Sequence, residues 1–321
     1  MTELNEMENI KIRNLSGILF SLRQNGEMSI SRLAEVTKIG LTTVKKYVEA
    51  GTESGMFLPG EIAASTGGRK ARQYLLNKTY QHFLLIAVDN DELHFRVLDF
   101  ALSTASSGIE KFKLSEYTAA LEKIIDASKS RFPSLGTVCL SVPCIVKDGK
   151  ITEWYYNRGL NGFDLRAYFE EKYKMNIVVQ NNMKLSALGK IGGSSNAKQT
   201  LATVQFGHDG IGAALVYNGE IIEGMNGFAG EVSFLSHDLE DETNHRFLSE
   251  IVNSIIVFIN PEKIVFYSSE VKNDFERIFS EAIANLPEYA IPEYEVSDSY
   301  LDDIFSGLLE CVNRNGYFQL R

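Results

Sequence analysis

At 321 residues the chain is long enough for two or three domains. Its longest apolar runs, FLLIAV at 83–88 and IIVFI at 255–259, are far shorter than the ~20 residues of a membrane-spanning helix, and its polar N-terminus lacks the apolar core of a signal peptide. The three cysteines form no CxxC or CxC pair, which argues against disulfides and a structural zinc and favours a reducing, cytoplasmic location.

The net charge of −10 is unevenly distributed along the chain. Residues 1–79 hold 11 Lys+Arg against 8 Asp+Glu, a balance of +3, whereas the remainder holds 21 against 34, a balance of −13. A basic front part on an acidic body is typical of a small nucleic-acid-binding module joined to a larger domain. Chance asymmetry remains the alternative at this point.

Three helical patterns fill the first part of the chain. The first runs from about Ile10 to Leu22 and ends at Gly26. The second opens at Ser29, and the third follows the KIG segment, with Thr42 and Thr43 as start residues and Leu41, Val44 and Val48 facing inward. This is the order of a helix-turn-helix, although ordinary helical bundles show it too. The polar face of the third helix offers base and phosphate contacts through Thr42, Thr43, Lys45 and Lys46.

A strand, a turn and a returning strand are predicted next, over MFLPGEIAASTGGRKARQYLLN. The tip, STGGRK at 65–70, places positive charge at Arg69, Lys70 and Arg72, which suits insertion into a minor groove. A solvated basic hairpin is the alternative. Together with the three helices, this wing predicts a winged helix-turn-helix domain at residues 1–79 that binds double-stranded DNA.

Strands and helices alternate in the remainder of the chain. In chain order, the patterns predict two strands joined by an acidic turn at 89–92, a helix at 117–132, a strand at 136–146, a helix at 161–173, a strand at 175–182, a helix at 183–191, strands at 200–207 and 212–222, a helix at about 244–258 and a strand at 260–269. Such alternation predicts an α/β fold with a largely parallel sheet in each of two lobes.

Six motifs occur in the order seen in one known family: GGRKARQYLLN, VDNDELHFRVLD, LSVPCIVKDGKI, VQNNMKLSALG, GIGAALVYNGEIIEGMNGFAGEV and INPEKIVF. On these motifs the chain resembles the ROK family, which groups sugar-responsive repressors with sugar kinases on a two-lobed actin-like ATPase fold. The resemblance covers nearly the whole chain, because the repressor branch also carries a winged helix-turn-helix. It implies an effector-binding and oligomerisation body at 80–321, with lobes at about 80–180 and 181–321.

The resemblance also implies that kinase chemistry is lost. Family kinases end the polar cluster of the VQNN motif in an aspartate that acts as general base, and Asn182 stands there in this chain. A neutral amide cannot accept the proton of the attacking hydroxyl. At the phosphate and adenosine loops the family's small residues are replaced by Asp91, Glu92, Leu93, Asp209, Ser268 and Ser269. We therefore expect no enzyme activity and no nucleotide cofactor.

A zinc site is not expected either. The family's site uses a histidine where this chain has Phe234, together with three cysteines from a segment that is missing here. The nearby His237 and His245 lack thiolate partners and are interpreted as loop histidines.

Four positions that contact sugar in the family keep hydrogen-bonding side chains: Asn157, Asn181, Asn182 and Glu231. A sugar or sugar-phosphate effector is therefore predicted in the cleft between the lobes. The alternatives are that Asn182 only caps the following helix and that Glu231 is held by backbone amides of its Gly-rich loop, GMNGFAGEVSFL at 224–235. In that case a protein partner or oligomerisation alone sets the state of the protein.

The sequence thus predicts a repressor of carbohydrate uptake or metabolism genes. It acts as a homodimer or tetramer on a two-fold operator, and ligand binding changes the spacing of the winged modules. The rival interpretations are a sugar kinase fused to a helix-turn-helix and a repressor whose body binds no ligand.

Overall fold

The computed structural model describes residues 2–62, 71–192, 198–207, 210–235, 245–267 and 274–314. Within these ranges, no helix combines the length and the apolar character that crossing a membrane requires. The tip of the predicted wing, with Arg69 and Lys70, lies outside the described residues, as do Asp209, His237, Ser268 and Ser269.

The first part of the chain folds into three helices and a small antiparallel sheet. The helices are α1 (Thr2–Asn25), α2 (Ile30–Thr37) and α3 (Leu41–Glu53), and the strands are β1 (Met28–Ser29), β2 (Phe57–Ile62) and β3 (Arg72–Leu76). The strands are ordered β1-β3-β2. This is a winged helix-turn-helix, in which β2 and β3 form the two sides of the wing.

Local sequence signals account for most of this module. Gly26 ends α1 with a φ of 74°, a conformation that glycine adopts without strain. The hydroxyl of Ser29 accepts a hydrogen bond from the backbone N–H of Arg32 and so caps α2. Val44 and Val48 are fully buried, as predicted. The prediction for Leu41 was wrong, because its side chain is 56% exposed at the start of α3.

The first lobe is a five-stranded sheet covered by helices. Its strands are β4 (His82–Asp89), β5 (Glu92–Leu98), β6 (Thr104–Lys111), β7 (Leu135–Val142) and β10 (Asn176–Asn181), in the order β10-β7-β4-β5-β6. A two-stranded hairpin, β8 (Ile145–Lys147) and β9 (Lys150–Glu153), follows β7. Helices α4 (Tyr117–Arg131) and α5 (Leu165–Tyr173) pack here, and α6 (Asn182–Gly192) follows β10 directly.

The second lobe repeats the same strand order. Its strands are β11 (Leu201–Gly207), β12 (Gly210–Tyr217), β13 (Glu220–Ile221), β14 (Lys263–Tyr267) and β15 (Glu293–Ser297), ordered β13-β12-β11-β14-β15. The helices are α7 (His245–Ile259), α8 (Phe275–Ile283) and α9 (Tyr300–Arg314). Each large sheet has two parallel and two antiparallel pairings, so the predicted largely parallel sheets are mixed sheets. Consecutive strands joined by short turns pair antiparallel, which explains the difference.

Two helices cross closely where the lobes meet. A Cβ atom on Gly189 of α6 would lie 2.0 Å from the carbonyl oxygen of Asp303, and one on Gly307 of α9 would lie 2.0 Å from the carbonyl oxygen of Leu185. Only glycine lets the two backbones approach to this distance. Helix α9 also packs against β4 and β7, so the end of the chain returns to the first lobe.

A single hydrophobic cluster joins the winged module to the body. It contains Leu19 and Val44 of the module together with Phe83 and Phe100 of the first lobe and Leu308 of α9. At its edge the guanidinium of Arg23 on α1 donates hydrogen bonds to the Asn313 side chain (3.2 Å) and to the Phe100 carbonyl (3.4 Å). The module is thus packed directly on α9 and the first lobe.

Candidate functional site

The first turns of α3 present the predicted DNA-contacting side chains. Thr42, Lys45 and Lys46 are exposed and Thr43 is partly exposed, while Val44 and Val48 fix the opposite side of the helix in the core. Lys45 lies 3.7 Å from Glu49 in an exposed ion pair, which contributes little to stability. These threonines and lysines therefore form one polar surface that is accessible to another molecule.

The wing holds one described cation of the predicted set. Arg72 begins β3, is exposed and lies opposite Ile62 of β2 in the strand register. The wing is anchored at its base by Asn77, whose side chain donates a hydrogen bond to the carbonyl of Gly55 at 2.8 Å. Arg72 therefore lies at the start of β3, and the opposite end of that strand is followed by this hydrogen bond.

Asn181 ends β10 at the cleft, and both ends of its amide are already hydrogen-bonded. Its nitrogen donates to the Cys144 carbonyl at 3.1 Å, and its oxygen accepts from the backbone N–H of Lys184 at 3.1 Å. The side chain is 7% exposed. Asn181 thus ties the start of α6 to the segment after β7.

Asn182 is partly buried and follows at the first position of α6. Its side-chain oxygen accepts a hydrogen bond from the backbone N–H of Met183 at 2.9 Å, which resembles the capping role weighed for it. Its amide nitrogen remains as a donor for a ligand, but the group has no basic site for a proton.

A charged cluster that the sequence analysis missed surrounds these amides. The side chain of Lys184 is 1% exposed, and its ammonium donates a hydrogen bond to the Gly227 carbonyl at 2.6 Å. Burial lowers the pKa of this ammonium, an effect that the carboxylates of Glu223 and Glu231 oppose. The available signal was Lys184 itself, which stands between Met183 and Leu185 at the start of a mostly apolar helix.

Glu223 connects the two lobes within this cluster. Its carboxylate forms an ion pair with Lys147 of β8 and accepts a hydrogen bond from the Gln180 side chain of β10 at 3.0 Å. Burial favours the neutral acid, but the hydrogen bonds from Lys147 and Gln180 lower the pKa of Glu223 overall. Three polar side chains from separate segments thus hold the start of the Gly-rich loop against the first lobe.

Glu231 lies within that loop, close to Lys184. Burial raises the pKa of its carboxyl from 4.5 to about 6, the Lys184 ammonium opposes the rise, and the Glu153 carboxylate adds to it. Glu231 also contributes to the raised pKa of the buried Cys144 thiol, after burial itself. Asn181, Lys184 and Glu231 are therefore neighbours through the Cys144 segment and α6.

Asn157 is held separately from this group. Its side-chain nitrogen donates a hydrogen bond to the Leu114 carbonyl at 2.9 Å, and its backbone departs from helical geometry inside a short 3₁₀ segment. Asn181 and Asn182 thus lie together at the end of β10, Glu231 interacts electrostatically with the nearby Lys184, and Asn157 is hydrogen-bonded elsewhere in the first lobe.

The turn between β4 and β5 is the segment that the resemblance aligns with the first phosphate loop. Asp89 pairs with Glu92, and the two residues between them make a tight turn in which Asn90 has a φ of 52°. Leu93 is fully buried in the core of the first lobe. Its side chain therefore offers no hydroxyl to a phosphate, unlike the threonine expected there.

The segment in which the resemblance would place a zinc ligand, around Phe234, contains aromatic side chains. Phe234 is 56% exposed and its ring lies 5.0 Å from that of Phe228. His245 lies 3.6 Å from the Asp274 carboxylate. Over the described residues, no group of three or more His, Cys, Asp or Glu side chains is placed to hold a metal ion. The absence of zinc stays a prediction.

Comparison with known proteins identifies a family domain in this chain. A sequence model of the ROK family matches residues 114–245. The DNA-binding transcriptional dual regulator NagC of Escherichia coli K12 is 23% identical over 256 residues, and the xylose repressor of Bacillus subtilis is 23% identical over 239 residues. These alignments cover 76% and 71% of this chain and 62% of each relative's own length.

Two further comparisons bear on the fold and on the kinase branch. A crystal structure of a ROK family transcriptional regulator, a homologue of the E. coli MLC protein, matches with a TM-score of 0.71 and 13% identity over 95% of this chain and 97% of that one. A glucokinase of Halalkalibacterium halodurans is 32% identical over 81 residues, which cover 25% of this chain and 24% of the enzyme. The solved regulator therefore shares the fold of nearly the whole chain.

Proposed function

We propose that this chain, which carries a ROK family domain, is a DNA-binding regulator that represses genes of carbohydrate uptake or metabolism. The observation that supports this most directly is the winged module itself, whose α3 presents Thr42, Lys45 and Lys46 to solvent while its core continues into the body. NagC and the xylose repressor, the relatives found by sequence, carry regulator and repressor names.

In the proposed complex, α3 lies in a major groove and the wing reaches the adjacent minor groove. Threonine hydroxyls contact base edges, and lysine and arginine side chains neutralise phosphates. The residues assigned to this surface are Thr42, Thr43, Lys45, Lys46, Arg69, Lys70 and Arg72. A homodimer or tetramer would present these surfaces in pairs to a two-fold operator.

A sugar or sugar derivative is the proposed effector, bound between the lobes. Glu231 and the free donor of Asn182 are the groups best placed to meet ligand hydroxyls, because the amide of Asn181 is already engaged at both ends. Lys184 and Glu223 position the Gly-rich loop beside them. Asn157 completes the proposed set from the first lobe.

The effect of ligand binding reaches the DNA-binding module through the packing of helices α6, α9 and α1. Ligand contacts at the start of α6 act on α9 through the crossing at Gly189 and Gly307, where the two backbones approach closely. Helix α9 in turn touches α1 through Asn313 and Arg23. An effector can shift DNA affinity only by binding the two arrangements of these helices with different affinity.

The rival function is a sugar kinase. The similarity to a glucokinase favours it, but that similarity covers only 25% of this chain. Asn182 has no base for the sugar hydroxyl, and the buried Leu93 and the tight β4–β5 turn remove features that would bind a triphosphate. We therefore propose that the cleft binds without phosphorylating.

Transcript profiling of a strain that lacks this protein tests repression. We expect transcripts of a small set of carbohydrate uptake or metabolism genes to rise at least several-fold, and to fall again when the wild-type gene is restored. A profile without such a set would contradict the proposal. Thermal unfolding with N-acetylglucosamine, its 6-phosphate and xylose tests the effector class, and stabilisation by one of them is expected.

A further inference from the structure

Helices α6 and α9 form a layer between the two large sheets. On one side of this layer, Leu185 of α6 and Leu308 of α9 belong to the hydrophobic cluster that contains Phe83 of the first lobe. On the other side, Ala187 of α6 packs in a cluster with Val265 of the second lobe. The layer therefore has one interface with each lobe, and the two interfaces differ in their polar contacts.

The interface with the second lobe contains a network of largely buried charges. The Lys190 ammonium at the end of α6 lies 2.8 Å from the Glu295 carboxylate of β15 and 3.1 Å from the Asp303 carboxylate of α9. The Tyr267 hydroxyl of β14 donates a hydrogen bond to the same Asp303 carboxylate at 2.9 Å. The side chains of Lys190 and Asp303 are only 17% and 14% exposed. Because these bonds require fixed donor and acceptor positions, they tie both helices to the second lobe.

The interface with the first lobe is apolar and has a polar contact at its edge. The Arg96 guanidinium of β5 donates a hydrogen bond to the Asp302 carboxylate of α9 at 2.8 Å, and its Cζ atom lies 4.0 Å from the centre of the Phe305 ring. The side chains of Arg96 and Asp302 are 39% and 71% exposed, so water and salt reach this ion pair. Hydrophobic burial is non-directional, and the Arg96 contact therefore adds the directional hold on α9 at this edge.

Two consecutive aspartates at the start of α9 are thus bound by different lobes. Asp302 is bound by the first lobe and Asp303 by the second. In the same turn, the Tyr300 hydroxyl donates a hydrogen bond to the sulfur of Met183 at 3.4 Å, next to Asn182 at the start of α6. The first turn of α9 therefore connects the candidate effector site with both lobes.

We propose that the boundary of lobe movement lies between α9 and the first lobe, and that the Arg96–Asp302 pair is a latch that holds this boundary closed. When the exposed pair breaks, α6, α9 and the second lobe rotate together over the first lobe. At the far end of α9, the Arg23 guanidinium of α1 spans the same boundary, because it donates to the Asn313 side chain of α9 and to the Phe100 carbonyl of the first lobe. The winged module is therefore attached to both sides of the moving boundary.

The latch itself is a property of the body, and only its consequence for DNA affinity rests on the proposed function. It is therefore tested through the distance between the lobes, without DNA or effector. A failure of that test leaves the DNA-binding proposal standing. A chain that binds no operator, in turn, leaves the latch standing.

A distance measurement between spin labels on the two lobes of the full-length chain tests the latch. Ser130→Cys on α4 and Ser280→Cys on α8 place the labels at exposed positions of the first and second lobes. The native Cys139, Cys144 and Cys311 are buried, so the introduced thiols react preferentially. At low salt the labelled chain is expected to give one main distance.

Removal of the latch should populate other distances. With Arg96→Gln in the labelled chain, we expect about a fivefold rise in the population outside the main distance, which is a shift that an exposed ion pair can supply. Asp302→Asn should give the same rise, and the double variant should add nothing further, because both substitutions remove the same pair. Lys123→Gln is the matched control, since it removes an exposed ion pair with Glu110 inside the first lobe and should leave the distribution unchanged.

Salt gives an independent test of the same pair. Raising the salt concentration from about 0.05 to about 1 M should shift the labelled parent chain toward the Arg96→Gln distribution, whereas the Arg96→Gln chain should not respond, because salt screens exposed charges. The melting temperatures of the variants are expected to match that of the parent, since an exposed pair contributes little to stability. Unchanged distances in Arg96→Gln and Asp302→Asn, an equal rise in Lys123→Gln, or a rise that accompanies a lower melting temperature would each overturn the latch.

Discussion

Glu231 gives the stability of this chain a pH dependence. Its pKa is raised from 4.5 to about 6, so the folded chain holds this proton more tightly than the unfolded chain between these values. The stabilising contribution is complete below pH 4.5 and is lost as the pH rises through 6. Glu231→Gln should therefore reduce the fall in unfolding free energy between pH 4.5 and 7 by about 2 kcal/mol, measured by urea denaturation.

The matched control for this measurement is Glu171→Gln, which changes an exposed glutamate. Its difference from wild type is expected to stay constant over the same pH range. A pH profile of Glu231→Gln that runs parallel to wild type would show that this carboxyl does not carry the effect.

Introducing an aspartate at position 182 should not create a kinase. Asn182→Asp supplies a carboxylate where family kinases have their base, but Leu93 stays buried and the β4–β5 turn stays tight. In a coupled ATPase assay with a panel of sugars, we expect the variant and wild type to give the same background rate. Sugar-dependent turnover by the variant would mean that its phosphate site is intact.

For single residues, the sequence predicts which side chains stand at the end of a strand. It does not predict which distant residues those side chains contact. The strand end at Asn181 and Asn182 was predictable, because apolar β-branched residues lead into it. The hydrogen bond from Lys184 to Gly227 spans 43 positions and depends on how the Gly-rich loop packs. The Glu223 contacts depend on the same packing, so neither was predicted.

Among the helices, the crossing of α6 and α9 is the most sensitive to added volume. Gly307→Ala would place a methyl group 2.0 Å from the Leu185 carbonyl oxygen, and the backbones must separate to admit it. We expect a loss of about 3 kcal/mol in unfolding free energy, measured by denaturant titration.

Gly192→Ala is the control at the end of the same helix α6. Its added Cβ would meet only the flexible Glu310 side chain, at 3.4 Å. A change below about 0.5 kcal/mol is expected there, as for surface substitutions generally. Equal losses from both variants would show that the close approach at Gly307 does not explain the result, because the higher helix propensity of alanine would by itself stabilise both helices.

Helix α3 offers a prediction about phosphate contacts. Lys45→Gln and Lys46→Gln should each lower the slope of log affinity against log salt by about one unit, because each lysine releases about one counterion on binding. Lys123→Gln, which removes an exposed lysine of the body, should leave the slope unchanged. Fluorescence anisotropy at several salt concentrations measures it, and an unchanged slope in both α3 variants would remove them from the phosphate contact.

Elements with strong local signals were predicted best. The cap at Ser29 and the terminator at Gly26 placed α2 and the end of α1 correctly. The predicted strand at 136–146 is two strands, β7 and β8, because Pro143 between them has no N–H to donate to a sheet. Helix α9 was not predicted, although Ile304, Leu308 and Val312 form a buried helical face, because its role depends on contacts with α6 and β4.

In the whole molecule, the winged module and the body share one hydrophobic core, and the proposed mechanism depends on this contact. The cluster that contains Leu19, Phe100 and Leu308 leaves no hydrophobic gap between the winged module and the first lobe. Arg23 adds hydrogen bonds to Asn313 and Phe100 at its edge, and burial lowers the pKa of its guanidinium to about 10. A change in the position of α9 would therefore be transmitted to α1.

Selection of genomic DNA fragments by the purified full-length protein at near-physiological salt tests whether this chain is an operator-binding repressor. Sequencing of the retained fragments should reveal one palindromic motif with half-sites a helical turn or a multiple apart, located beside genes of carbohydrate uptake or metabolism. The substrates of those genes would then nominate the effector. Retention without an enriched motif, or no retention at all, would contradict the claim that this chain is an operator-binding repressor.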